Sequence, residues 1–170
     1  MTFMATPLPR TLEVVKNLSK PEAMVFFKMS KYIFDGNIIV NSDDIPLGGE
    51  YNDILILQDA GIIGQISNHW QKGIAIPGMS GKYVFMPILG HNFALIASAD
   101  KVSFRCHILT TAGKQLLTAL QFQRSLEDIK VIAKEISRQN GAILIKMFDY
   151  IPGQALTLPI NKTPLWTSID

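Results

Sequence analysis

A transition from helix to strand at residues 51–63 decides the order of elements in this chain, and its sequence is YNDILILQDAGII. Three apolar residues share one helical face, which predicts a helix over residues 51–60. They are Ile54, Leu55 and Leu57. Gly61 is expected to be the C-terminal cap, because glycine readily adopts the left-handed conformation that ends many helices. The loose alternation over residues 62–70 predicts a strand directly after the helix.

The segment before this helix predicts another helix followed by a polar connection. Residues 19–22, SKPE, form a capping box with a proline in the first turn, which is a helix start. Apolar residues then recur at helical spacing until Gly36, which is expected to end the helix. They are Ala23, Phe26, Phe27, Ile33 and Phe34. A short helix is predicted over residues 11–17, and residues 36–50 are predicted to be a connection that contains the apolar run 38–40.

The segment after residue 70 predicts strands, then helices, then a last strand. Residues 82–89 and 93–98 predict a β-hairpin around a Gly-His-Asn turn, and residues 102–107 predict a third strand. The remaining predictions are a helix over 110–122 with Ala112, Leu116, Leu117, Leu120 and Phe122 inward, a helix over 125–139 with Leu126, Ile129, Ile132, Ala133 and Ile136 inward, and a covered strand over 142–148. The chain therefore divides into a lead-in (1–17), an α+β domain (18–150) and a Pro-containing extended tail (151–170).

Composition agrees with a folded domain in a reducing compartment. Of the 170 residues, 48% are hydrophobic and 18% are charged, and the net charge of +2 is too small to indicate a nucleic-acid partner by itself. Cys106 is the only cysteine, so an intrachain disulfide is impossible and a cytoplasmic location is expected. The longest apolar stretch, residues 83–99, is interrupted by Pro87 and by Gly90, so no membrane span is predicted.

Two phrases on either side of the strand-rich segment are similar to those of winged-helix proteins. The first, LQDAGII at residues 57–63, resembles the end of the third helix and the entry to the wing. The second, LTTAG at residues 109–113, resembles the phrase after the wing in regulators of the multiple-antibiotic-resistance type. There, Thr110 would cap a new helix and Gly113 would let the wing strand pack closely.

The spacing of these phrases over residues 18–150 also resembles the C-terminal module of uncharacterised bacterial proteins with a domain of unknown function. The resemblance implies an α+β fold with a winged-helix-like core, a β-hairpin wing and an added C-terminal helix and strand. One departure concerns residues 34–51, where the helix that normally precedes the recognition helix is short or missing. Since that helix anchors the recognition helix on the DNA backbone, the DNA-reading geometry is in doubt.

Charge also disfavours a groove-reading role for the helix at 51–60. In winged-helix regulators, phosphate contacts from Lys and Arg supply much of the affinity. No Lys or Arg occurs from Gly36 to Gln71. Together with Asp35 beside it, the same region carries six acidic residues, the others being Asp43, Asp44, Glu50, Asp53 and Asp59. The recognition helix is therefore expected to repel a polyanion.

A basic stripe offers an alternative nucleic-acid surface. Lys130, Lys134 and Arg138 recur at four-residue spacing on the helix predicted over 125–139. Such a stripe is either an ordinary solvated helix face or a surface for phosphates or an acidic partner. If DNA or RNA binds at all, we expect it here and without sequence specificity.

No pattern of residues predicts catalysis or a metal site. The histidines are His69, His91 and His107, and neither Cys-x-x-Cys nor His-x-x-x-His spacing is present. Cys106 adjoins His107, so on a strand their side chains point to opposite faces, and the cysteine is interpreted as core. The chain is accordingly predicted to be no enzyme and to hold no metal or cofactor.

Two further local patterns are interpreted as turns. Gly78, Gly81 and Lys82 suggest a phosphate-binding loop, but position 76 is Ile76 where the Walker pattern needs glycine. The neighbouring carboxylates at residues 43–44 have no third acid at a matching spacing, which favours a turn over a cation site.

The apolar hairpin and tail lead to the functional prediction. The candidate protein-interaction residues are Tyr83, Phe85, Phe93, Leu165 and Trp166. The tail is expected either to pack on its own domain or to reach a second chain. We therefore predict a non-enzymatic regulatory or interaction module that binds a protein partner or self-associates, with non-specific DNA or RNA binding as the alternative. No membrane and no small-molecule substrate are predicted as partners.

Overall fold

A computed structural model of the chain describes residues 9–34, 36–43, 45–64, 67–72, 83–88, 92–120, 124–151 and 163–168. They form a mixed α+β fold with helices and two antiparallel sheets. The helices are α1 (Pro9–Asn17), α2 (Lys20–Ser30), α3 (Tyr51–Asp59), α4 (Thr111–Ala119) and α5 (Leu126–Gln139). The strands are β1 (Ile33–Phe34), β2 (Ile38–Ser42), β3 (Ile45–Pro46), β4 (Ser67–Lys72), β5 (Val84–Ile88), β6 (Phe93–Ala97), β7 (Val102–Ile108), β8 (Ile145–Asp149) and β9 (Trp166–Thr167).

The first sheet is arranged around β7. Its strand order is β1-β2-β7-β4, and β3 pairs with β2. On one side of β7, Val40 of β2 lies opposite Cys106, and on the other side Trp70 of β4 lies opposite Phe104. The strand that follows α3 and the strand that precedes α4 are therefore neighbours in this sheet.

The second sheet combines two strands inserted between β4 and β7 with two strands that follow α5. Its order is β5-β6-β8-β9, with all pairs antiparallel. The β5–β6 pair confirms the hairpin predicted over residues 82–98, with Val84 opposite Ala97. This hairpin pairs with β8, which follows α5, and not with β4 or β7.

Two apolar clusters fix the layers. The larger one joins α5 to both sheets, and its buried members include Val40, Phe104 and Met147 from strands of the two sheets and Ile132 from α5. The smaller one packs the other face of the first sheet against α2 and α3, through Phe26 and Leu57, with α1 and α4 at its border. Burial of both faces explains why residues 38–40 of β2 are a continuous apolar run.

Thr110 joins three elements at the junction of the first sheet and α4. Its Oγ1 accepts from the Gly113 N–H at 3.1 Å, as predicted for an N-cap, and donates to the carbonyl of Gly61 at 2.7 Å. Its backbone N–H donates to the carbonyl of Ile62 at 2.9 Å. One residue thus ties the end of α3 to the start of α4. Gly61 has a φ of +70°, which is the left-handed conformation expected of a C-terminal cap.

Side chains at the end of α5 extend the hydrogen bonding of β7. The Asn140 carboxamide accepts from the Ser103 N–H at 3.1 Å and donates to the Ser103 carbonyl at 2.8 Å, as a paired strand would. The Gln139 carboxamide accepts from the Arg105 N–H at 2.8 Å and donates to the Asn41 carbonyl. These two side chains satisfy backbone donors and acceptors of β7 at residues that do not pair with β2.

Two sequence predictions before α3 were wrong. The helix predicted to continue to Gly36 ends at Ser30, and Ile33 and Phe34 form β1. Residues 38–40, predicted as part of a polar connection, form the buried strand β2. Both segments are β-branched or aromatic and pair with each other, so pairing prevailed over helical spacing. The described residues between 36 and 50 contain no helix, in keeping with the departure noted above.

Several residues predicted to point inward are exposed. They are Phe27 at 52%, Leu55 at 41%, Leu120 at 40% and Leu126 at 36%. Phe122 and the turn-rich segment around Gly78 lie outside the described residues. Within the described ranges, no helix has both the length and the apolar character needed to cross a membrane.

Candidate functional site

The surface of α3 is acidic and apolar. Tyr51 is 59% exposed and Leu55 is 41% exposed. Asp53 accepts the backbone N–H of Glu50 at 2.9 Å, which completes a capping box, and also accepts from Lys28 of α2 at 3.1 Å. α3 itself carries no Lys or Arg. The contact from Lys28 is therefore a pairing with a carboxylate and not part of a basic ridge on this helix.

The basic stripe on α5 is largely paired within the chain. Lys130 donates to Glu127 at 2.7 Å, and Lys134 lies with its Nζ 6.0 Å from the ring centroid of Trp166. Arg138 donates to Glu135 at 2.7 Å and to Asp43 at 3.0 Å. The pKa of Arg138 is raised by its hydrogen bonds to Glu135 and then to Asp43.

A buried carboxylate holds the C-terminal end of this stripe in place. Glu135 is 8% exposed, and it accepts from Arg138, from Gln139 at 2.9 Å and from Ser42 of β2 at 3.4 Å. Arg138 thereby bridges Glu135 and Asp43, with its own side chain 53% exposed. The stripe presents a weak field to a phosphate backbone, since two of its three cations contact carboxylates.

The hairpin residues predicted to bind a partner are mostly covered. Phe85 is 5% exposed and belongs to a cluster with Phe148 on the second sheet. Its ring makes an edge contact with the ring of Tyr150, with the two ring centroids 5.2 Å apart. Tyr83 and Phe93 are partly buried. These rings therefore stabilise the second sheet in this structure and present little surface to another protein.

The end of the tail packs on its own domain. Trp166 of β9 lies opposite Met147 of β8, and its ring packs against the larger cluster. Leu165, next to it, is 49% exposed. Sequence reasoning named both residues but missed Ser168, whose hydroxyl accepts from the Ile145 N–H at 3.0 Å. A lone serine near the end of an apolar tail gives no pattern that would have identified it.

The described cysteine and histidine of β7 are core residues. Cys106 is buried, and burial raises its pKa to about 11, which makes it a poor nucleophile at neutral pH. His69 lies in β4, and His91 lies outside the described residues. Across the described part of the chain, no group of three or more His, Cys, Asp or Glu side chains has an arrangement that could hold a metal ion.

His107 is buried without a hydrogen-bond partner among the described residues. It is 1% exposed, and neither ring nitrogen contacts a partner within the described structure. Burial lowers its pKa below the usual 6.5. As pH falls through that value, His107 binds a proton more readily in the unfolded chain than in the folded chain, so stability is lost as the pH falls further.

We expect the free energy of unfolding to fall between pH 7.0 and pH 5.5 in part because of this residue, since burial lowers its pKa in the folded chain. His107→Leu should remove that part of the pH dependence. Urea unfolding of both proteins at the two pH values measures the difference. An identical pH dependence in the two proteins would contradict the assignment.

A cavity of about 380 Å³ lies between α1, the start of α2 and the end of α3. It was not predicted from the sequence, because its walls come from three separate segments. Its lining residues are Glu13, Val14, Asn17, Leu18, Glu22, Asp59 and Ala60. Glu22 also completes the capping box of Ser19. The hydroxyl and the backbone N–H of Ser19 hydrogen-bond to the Glu22 carboxylate and lower the pKa of Glu22. The cavity is acidic, as is the neighbouring surface of α3.

In comparisons with known proteins, no family model, no curated protein and no solved structure matches the chain. Its candidate sites therefore depend on the geometry described above. That geometry comprises the acidic and apolar surface of α3, the paired stripe of α5 and the C-terminal segment on β8.

Proposed function

We propose that this chain is a non-enzymatic, winged-helix-like interaction module that binds protein. The order of elements supports the winged-helix part: α3 leads through β4 to β7 and α4, with β7 between β4 and β2. The cap of Thr110 on α4 and its bond to Gly61 support the same assignment. The β5–β6 hairpin and β8 would then be an elaboration of the wing.

The outer surface of α3 is the observation that carries the proposal. A helix that reads a DNA groove presents cations and hydrogen-bond donors to phosphates and bases. α3 instead presents Tyr51 and Leu55 beside carboxylates, and Lys28 is engaged with Asp53. Exposed aromatic and aliphatic side chains are typical of protein interfaces. On α2, Met24 adds a further exposed apolar side chain, at 64%.

Non-specific nucleic-acid binding remains the alternative function, with the α5 stripe as its surface. Lys134 supports this alternative, because it makes no ion pair with a described carboxylate. The pairing of Lys130 and Arg138 opposes it. We further propose a reducing, cytoplasmic location, which the single buried thiol of Cys106 supports.

The solution mass and the affinity for DNA test the proposal. We expect the mass from light scattering to rise between low and high micromolar concentration, and we expect no binding of a labelled duplex at low salt. Leu55→Asp places a charge on the exposed surface of α3 and tests the protein-binding proposal. Lys134→Ala removes a cation from α5 and tests the nucleic-acid alternative. A chain that stays monomeric and binds duplex DNA with an affinity that falls steeply with salt would overturn the proposal.

A further inference from the structure

The outer edge of β8 carries backbone groups that the described part of the chain covers only in part. In an antiparallel strand, alternate residues direct their N–H and C=O to opposite neighbours. Leu144 and Tyr150 bond toward β6, with N···O distances of 2.8 and 2.7 Å. The backbone N–H and C=O groups of Ile145, Met147 and Asp149 therefore point to the outer edge. β9 pairs with two residues of the five-residue strand, at positions 146 and 147.

Residues 165–168, here called the C-terminal segment, bind this edge through the backbone. The N–H of Leu165 donates to the Met147 carbonyl at 2.8 Å, and that of Ser168 donates to the Ile145 carbonyl at 2.9 Å. The Ser168 hydroxyl accepts from the Ile145 N–H at 3.0 Å and donates to the Ile143 carbonyl at 3.2 Å. The hydroxyl thus satisfies a backbone donor that a longer strand would otherwise bond.

One aromatic side chain anchors the C-terminal segment. The ring of Trp166 packs against the larger apolar cluster, and the Nζ of Lys134 lies 6.0 Å from its centroid. Leu165 remains 49% exposed. Main-chain hydrogen bonds together with a single side-chain anchor are the contacts by which an extended peptide adds a strand to a sheet edge.

We propose that the outer edge of β8 is a binding site for an extended segment of a partner polypeptide, which presents an aromatic residue followed two positions later by serine or threonine. The C-terminal segment occupies the site as an intramolecular competitor. This inference rests on the proposed function as a protein-binding module, and it names the site and the chemistry of the partner.

A labelled peptide with the sequence of residues 161–170, NKTPLWTSID, is the probe for this site. Its binding is measured by fluorescence anisotropy to the full-length wild-type chain and to full-length Trp166→Ala. We expect the variant to bind the peptide roughly tenfold or more tightly, because its tethered competitor is weakened. Ser168→Ala, which keeps the indole and loses the hydroxyl contacts to β8, is the second variant in case the first does not fold.

The same peptide with alanine in place of its tryptophan is the control, and it should bind at least about tenfold more weakly, since it lacks the aromatic anchor. Equal affinity for the wild type and both variants, no binding up to millimolar peptide, or equal binding of the control peptide would overturn the site. If the wild type is a dimer and the peptide dissociates it, the edge of β8 binds a second copy of this chain. That result would overturn the proposal that the edge binds a different polypeptide. If the peptide tests fail while both variants still self-associate, the site at β8 is overturned and the proposed function stands, so the two proposals fail separately.

Discussion

Gly113→Ala is expected to destabilise the chain by about 2–3 kcal/mol, even though alanine is favoured over glycine in a helix by about 1 kcal/mol. A Cβ at this position would lie 2.4 Å from the carbonyl oxygen of Ile62. That oxygen cannot move freely, because it accepts from the backbone N–H of Thr110 at 2.9 Å. The first turn of α4 must therefore shift away from the end of α3.

Urea unfolding of Gly113→Ala measures this effect, and Lys114→Ala on the same helix is its control. Lys114 is exposed, and lysine and alanine have similar helix propensities, so the control should stay within about 0.5 kcal/mol of the wild type. A Gly113→Ala protein as stable as the wild type, or more stable, would show that α4 and Ile62 do not approach so closely.

Asn140→Asp is expected to cost about 2 kcal/mol, because it replaces a donor by an acceptor at almost constant shape. The Asn140 amide nitrogen donates to the carbonyls of Ser103 at 2.8 Å and Ile136 at 2.7 Å. Aspartate keeps the acceptor for the Ser103 N–H but turns a carboxylate oxygen toward two carbonyl oxygens. The junction between α5 and β7 should weaken as a result.

Thermal unfolding of Asn140→Asp at neutral pH checks this expectation, with Asn52→Asp as the matched change. Asn52 is exposed in the first turn of α3, where an acid interacts favourably with the helix dipole, so the control should be neutral or slightly more stable. Equal stability of the two variants would show that the carboxamide of Asn140 does not hold β7.

Local chemistry explains which elements could be predicted from the sequence. The caps at Ser19, Thr110 and Ser125 all bond the backbone N–H three residues later, and each begins a helix as predicted. The hairpin of β5 and β6 was likewise predictable, since its turn and its strands are adjacent in the chain. Such signals depend on neighbours within a few residues, so a single sequence contains them.

Long-range pairing explains what the sequence did not reveal. β2 was interpreted as part of a connection, because the strand that covers it, β7, follows more than sixty residues later in the chain. The basic stripe was visible from its spacing, and Glu127 and Glu135 could have been recognised three residues before their cations. The pairing of Arg138 with Asp43 could not have been recognised from the sequence, because the turn at Asp43 meets α5 only in the folded chain.

The insertion of β5 and β6 between β4 and β7 has a consequence for synthesis on the ribosome. α2, β2 and α3 emerge well before β7, and the hairpin emerges well before β8, so neither sheet can close while the early elements are being made. Partners distant in sequence slow folding and leave apolar strands uncovered for longer. We therefore expect the nascent chain to need shielding of residues such as Ile39 until the second half arrives.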